Sequence, residues 1–347
     1  MRIKACISLT VLAVVLTATS QAQVPPTAGH QRNPPAMVEP VFLFPETAGV
    51  SDYRPVLNAD ATAVVFERTI AGGTELYAAT LPGGTPAPFT GVSGSERADW
   101  CWLRSGEKLT SGPLAFSTDN GIYVMPNTTA TATTLPNTVG MIYPAWFPDC
   151  GSLAVDGGSS HVTSVIDAKT GKILVPQVGD YSVSAGFASV NQANPNLISI
   201  AGQFNRDSNY YNQDLNYTWV AHGSKGRARV EPMDRHAPKG SGFIQLYQAR
   251  AGWWSPDGKW FAFESNRACD NMDGNTYAIF IQDSSGKDPA MQVTKCNWNA
   301  QHPKWFPPGS SGGKTMLIAA VAIATMTQTN MPFRIASLDV TAFVAGK

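Results

Sequence analysis

Ala251-Gly252-Trp253-Trp254-Ser255-Pro256-Asp257-Gly258-Lys259 is followed at once by Trp260-Phe261-Ala262-Phe263-Glu264. An aromatic pair ends one apolar run. Pro-Asp-Gly then makes a tight turn, Pro presetting φ and Gly accepting a positive φ. A second apolar run, rich in aromatics, starts directly after it. This is strand–turn–strand chemistry with no helical period.

Partial copies of the unit recur along the chain. They are Tyr53-Arg54-Pro55-Val56-Leu57-Asn58-Ala59-Asp60, Asp99-Trp100-Cys101-Trp102-Leu103-Arg104-Ser105-Gly106, Tyr143-Pro144-Ala145-Trp146-Phe147-Pro148-Asp149-Cys150-Gly151 and Gln301-His302-Pro303-Lys304-Trp305-Phe306-Pro307-Pro308-Gly309. Gly186-Phe187-Ala188-Ser189-Val190-Asn191 is a degenerate sixth copy. After each turn a second strand is expected, at residues 63–66, 114–116, 153–155, 197–201, 260–264 and 317–321. A third follows, at residues 75–80, 121–125, 162–167, 217–221, 277–282 and 333–339. A repeat of about 45 residues with several strands per unit predicts an all-β β-propeller of about six four-stranded blades. Residues 41–44 are the candidate strand to complete the last blade.

The ends and the composition set further expectations. Met1-Arg2-Ile3-Lys4, an apolar run over residues 5–18 and Ser20-Gln21-Ala22 read as a signal peptide over residues 1–22. Residues 23–40, with prolines at 25, 26, 34, 35 and 40, read as an extended lead-in, and residues 41–347 as the propeller. The expected location is periplasmic or secreted, with no membrane span after cleavage and a monomeric state. Lys plus Arg number 25 and Asp plus Glu 25, a balance that argues against nucleic acid as partner. Cys101, Cys150, Cys269 and Cys296 remain after cleavage. An even count in an exported chain predicts two disulfides, and chain order favours Cys101–Cys150 with Cys269–Cys296.

The W-S-P-D-G-K turn at Trp254–Lys259, the F-x-F strand at Phe261-Ala262-Phe263 and Ser265-Asn266-Arg267 resemble the TolB-like β-propeller family. The resemblance covers about residues 50–340. It implies a stand-alone propeller, since the α/β domain preceding the propeller in TolB has no counterpart between Ala22 and Val41. Some members are oligogalacturonate lyases that hold a divalent metal with His and Gln at one repeat. Gln301 and His302 partly match that pattern, while Lys304 stands where the lyases carry a further histidine.

Several side chains are candidate ligand contacts. Arg54, Arg97, Asp99, Arg250 and His302 stand near the expected starts of the inner strands, where they line a channel or pair with each other. The polar segment 203–216, with Tyr210 and Tyr211, is a candidate binding loop. Asp270-Asn271-Met272-Asp273-Gly274-Asn275 offers oxygen ligands and a Gly bend of the kind calcium loops use, though without EF-hand spacing. Three functions follow as expectations: an exported module binding an envelope protein or a glycan; a metal-dependent lyase or hydrolase on acidic oligosaccharide, with Ca or Mn as candidate ions; and a structural envelope component.

Overall fold

The computed structural model describes residues 35–105, 108–157, 162–178, 185–202, 214–219, 227–229, 249–266, 269, 276–285, 288–323 and 331–345. Those residues form an all-β unit that ends in a single helical turn, α1 (Thr341–Val344). Strand β1 (Val41–Phe42) stands apart at the start. The first sheet is β2 (Ser51–Leu57), β3 (Ala63–Ile70), β4 (Gly73–Thr80) and β5 (Ala87–Pro88). The second is β6 (Glu96–Ser105), β7 (Lys108–Thr118), β8 (Gly121–Met125) and β9 (Thr133–Thr134). The third is β10 (Met141–Trp146), β11 (Ser152–Gly157), β12 (Val162–Asp167) and β13 (Ile173–Val175). The fourth is β14 (Ala185–Val190), β15 (Leu197–Gly202), β16 (Asp214–Trp219) and β17 (Arg227–Arg229). The fifth is β18 (Ala249–Trp254), β19 (Trp260–Ser265), β20 (Ala278–Asp283) and β21 (Met291–Gln292). The sixth joins β22 (Ala300–Trp305), β23 (Met316–Val321) and β24 (Arg334–Asp339) to β1, in the order β1-β24-β23-β22.

Each sheet is an antiparallel meander, and the expected use of residues 41–44 holds for Val41 and Phe42, which pair with Ser337 and Ala336. The core lies between sheets. One cluster joins Val56, Val65 and Leu76 to Trp100, Leu114 and Phe116 of the next sheet. Equivalent clusters join the second sheet to the third, the third to the fourth, the fourth to the fifth and the fifth to the sixth. Another sets Ile318, Ala320 and Ile335 of the sixth against Leu57, Val64 and Phe66 of the first. Every sheet therefore buries both faces, which is why its second strand reads as an unbroken apolar run rather than an alternation.

The turn quoted at the outset forms as its chemistry requires. Gly258 takes φ +71°. Its N–H donates to the Ser255 carbonyl at 2.8 Å, and the Ser255 hydroxyl accepts the Trp260 N–H at 2.9 Å. The tryptophans that end the first strands fasten neighbouring sheets. Trp146, Trp254 and Trp305 donate their indole N–H to the carbonyls of Asp99, Ser189 and Trp253, each on the first strand of the preceding sheet. A buried aromatic with its one polar atom satisfied is a strong joint.

Both expected disulfides form, Cys101–Cys150 and Cys269–Cys296. Disulfides persist in oxidising compartments, which fits an exported protein. The second bridge closes a span of 27 residues between the end of β19 and the helical turn before β22. Replacing Cys269 and Cys296 by serine is expected to cost about 3.5 kcal/mol by the loop-entropy relation. Guanidinium unfolding of the double variant measures it, and an unmoved midpoint would show that the bridge contributes nothing. Among the described residues no helix is long and apolar enough to cross a membrane.

The sequence predicted only residues 114–116 as the second strand of the second sheet, but β7 starts at Lys108. Residues 108–113 lay outside the expected strands, yet Lys108–Ser111 pair with Trp102–Ser105 and lengthen the hairpin.

Candidate functional site

A bulge near the start of each first strand builds the site. In every sheet the register between the first and second strands shifts, at Tyr53/Val56, Glu96/Asp99, Ile142/Ala145, Gly186/Ser189, Arg250/Trp253 and Gln301/Lys304. Within each shift one non-glycine residue takes a positive φ: Arg54, Arg97, Tyr143, Phe187, Ala251 and His302. A left-handed residue of this kind is costly for an L side chain and clusters at functional sites. Here it turns the side chains at equivalent positions toward the space among the first strands.

That space is a cavity lined from all the sheets. Arg54, Arg97 and Lys304 supply cations, and Tyr143, Phe187 and Trp253 supply aromatic faces. Among the described residues no Asp or Glu lines it. The carboxylates stand behind the wall. Glu67 accepts from Arg54 at 2.7 Å, and Arg97 pairs with Glu96 at 2.9 Å. Arg54 also donates to the Tyr143 hydroxyl at 2.9 Å, and both arginines lie over the Tyr143 ring. Burial opposes the charge on Arg54, but the Glu67 carboxylate holds its pKa above the usual arginine value.

Three buried acids share one role. Glu67, Asp156 and Glu264 sit on the second strands of the first, third and fifth sheets. They accept the backbone N–H of Arg97, Phe187 and His302, the bulge residues of the sheets that follow. Glu264 also takes Arg250 at 2.6 Å, and Glu67 takes Arg54. Asp156 has a neutral partner, the Thr163 hydroxyl at 2.7 Å. Burial pushes its pKa up to about 7.

Two residues beyond the bulge lies a second level. Lys304 places its ammonium against the Trp253 ring and 3.4 Å from Asp99. Burial pulls the Lys304 pKa down to about 8, against the pull of Asp99, and burial raises that of Asp99. A second space lies beyond this pair, lined by Leu57, Asp99, Trp100, Trp102, Trp253, Trp254, Pro256 and Trp305 among others.

The structure thus brings Arg54, Arg97 and His302 to one cavity and places Asp99 at its floor. Arg250 is not among the lining residues: it packs over the Tyr277 ring behind the wall and serves Glu264. Tyr210 and Tyr211 and the loop 270–275 lie outside the described residues. The acids Glu67, Asp156 and Glu264 were not anticipated. Their signal is a carboxylate at the same offset from the turn aspartate in three repeats: Asp60 to Glu67, Asp149 to Asp156, Asp257 to Glu264.

Gln301 and His302 do not fit a divalent ion. The Gln301 carbonyl accepts the Tyr53 hydroxyl, and its amide nitrogen donates to Asn299 at 2.8 Å. His302 is buried, edge-on to Tyr53 with ring centroids 4.7 Å apart. Burial and the charges of Arg54, Arg250 and Lys304 hold its pKa well below the usual histidine value. Those same cations repel a metal ion. Among the described residues no cluster of three or more His, Cys, Asp or Glu is placed to hold one.

No family model matches the chain, and no curated protein matches it. Solved structures do. TolB from Acinetobacter baumannii aligns at 15% identity and a TM-score of 0.50, covering 85% of this chain. This chain spans 64% of that protein's length. Hydrazine synthase from Kuenenia stuttgartiensis aligns at 9% identity and 0.52, covering 85% of this chain and 88% of that one. An oligogalacturonate lyase from Vibrio parahaemolyticus reaches 12% identity and 0.48 over 87% and 94% of the two chains, too slight a likeness to bear on chemistry. At these identities the likeness shows the fold alone, and that fold is a β-propeller, as in TolB.

Proposed function

We propose that the chain is an exported six-bladed propeller that binds a protein or glycan ligand through the cavity at the bulges, and that it acts by binding rather than by catalysis. In this reading residues 1–22 direct export to the periplasm or the outside, residues 23–40 lead in, and residues 41–347 are the propeller. The observation that carries the reading is the lining itself. Cations and aromatic faces converge from different sheets on one cavity, while their balancing carboxylates stand behind. Such a surface favours an anionic group carried on a chain that can pack against rings. The unfitting donor set at Gln301 and His302 argues against the metal-dependent lyase.

Isothermal calorimetry tests this with matched probes: oligogalacturonate against its methyl ester, and peptides with free against amidated C-termini. The anionic member of one pair is expected to bind, and Arg54→Ala/Arg97→Ala to weaken it by roughly tenfold or more, the worth of one charge-assisted contact. Equal binding of the charged and neutral members, or an unaffected double variant, overturns the reading.

A further inference from the structure

The hairpin of β6 and β7 is built differently from the others. Its strands run for 10 and 11 residues, whereas β10, β14, β18 and β22 have 6 each. A second register shift between Trp100 and Trp102 re-aims its outer part, as an added bulge bends a strand. Pairing continues through Trp102↔Ser111, Leu103↔Thr110, Arg104↔Leu109 and Ser105↔Lys108. The root is clamped. The Cys101–Cys150 bridge ties it to the third sheet, and a Cβ on Gly112 would stand 2.9 Å from the Cys150 sulfur.

The direction of this arm follows from what it touches. Ser111 accepts the Ala59 N–H at the turn after β2, at 3.0 Å. Trp102 donates to the Leu57 carbonyl at 2.9 Å and lines the second space. Arg104 donates to the Pro256 carbonyl at 2.7 Å, in the turn of the fifth sheet. In the order of sheet contacts the second and fifth sheets are not neighbours, so Arg104 reaches past the ends of the intervening first strands. Pro256 and Trp102 line the same space from opposite sides.

We propose that the cavity is blind. The arm closes its far end over the tryptophan-lined space, and Lys304, Trp253 and Asp99 form a floor within. Among the described residues the way in that remains is past Arg54, Arg97 and Tyr143, so a ligand is taken by a terminus rather than threaded through at mid-chain. The consequence for ligand class rests on the binding reading above. The closure itself does not.

Collisional quenching of tryptophan fluorescence by acrylamide tests the closure without any ligand. Trp100, Trp102, Trp253, Trp254 and Trp305 line the covered space, out of 9 tryptophans in the chain. One variant joins Trp102 directly to Ser111 through an Asn-Gly turn in place of residues 103–110, a loop that suits a hairpin. Arg104→Ala keeps the arm and removes only its hold on Pro256, so it carries the test if the shortened chain does not fold. The quenching constant is expected to rise roughly twofold in the shortened chain and by less in Arg104→Ala, as buried rings open to solvent. Unchanged quenching in a shortened chain that keeps its melting temperature, or in Arg104→Ala should the shortened chain fail to fold, overturns the proposal. Failure of the anionic probes to bind would leave this result standing, so the two readings fail separately.

Discussion

Glu264→Leu is expected to be among the most damaging single substitutions in the chain. Glu264 is wholly buried, pairs with Arg250 at 2.6 Å and accepts the His302 N–H at 2.6 Å. Leucine fills the volume but answers neither donor. Arg250 cannot shed its proton, because arginine stays charged in proteins. Breaking a buried pair from one side costs about 3–5 kcal/mol, and an orphaned buried N–H about 1–3 more. The second cost falls on a bulge: the His302 N–H is what Glu264 uses to hold the positive φ of 53° that aims the imidazole. Urea unfolding of Glu264→Leu, Arg250→Leu and the double variant separates the terms. The double variant should recover most of the ion-pair loss and none of the bulge loss. A single variant that loses less than about 1 kcal/mol, the worth of an exposed pair, would show that the pair is solvated and the bulge held by other means.

The contrast between what the sequence disclosed and what it hid has a physical basis. The Pro-Asp-Gly turn, the aromatic strand ends and the closing strand at Val41 and Phe42 are local features, fixed by φ preference and by the period of apolar residues. They were legible because each is stated within a few residues. The wall of the cavity was only half legible. Arg54, Arg97 and His302 stood out as polar residues beside apolar runs, whereas the acids that fix them, Glu67 and Glu264, lie on other strands of the same or a neighbouring sheet. Glu67 and Glu264 each follow an apolar run, as Phe66-Glu67 and Phe263-Glu264, and nothing local marks a carboxylate there as buried. Both are buried, because every sheet is covered on both sides. The β6–β7 arm was hidden for the opposite reason. Lys108-Leu109-Thr110-Ser111 is polar and exposed on one side, and pairing alone makes it a strand.

The same register position carries a second large effect of opposite sign. Asp156→Asn should stabilise the protein above neutral pH. Asp156 is 3% exposed, and among the described residues no cation answers it in the way that Arg54 answers Glu67 or Arg250 answers Glu264. Its pKa is raised from 3.8 to about 7, burial being the first cause. An acid whose folded pKa lies above its unfolded value stabilises the fold fully below the unfolded pKa. That stability is lost as pH rises from about 4 to about 7, so the ionised form is a net cost beyond it. A gap of about three pKa units corresponds to about 4 kcal/mol at pH 8, of which about 2.5 develops between pH 5 and pH 8. Asparagine reproduces the neutral form: its oxygen accepts the Phe187 N–H and its amide donates to the Thr163 oxygen. The difference in unfolding free energy between variant and parent should therefore be small at pH 4 and grow in the variant's favour through pH 7. Because His302 and Lys304 titrate equally in both proteins, their own pH dependence cancels from that difference. A difference that stays flat from pH 5 to pH 8 would mean that the Phe187 and Thr163 hydrogen bonds keep the buried carboxylate ionised at no cost. A variant destabilised at every pH would mean that the bulge needs a full negative charge to hold Phe187 in place.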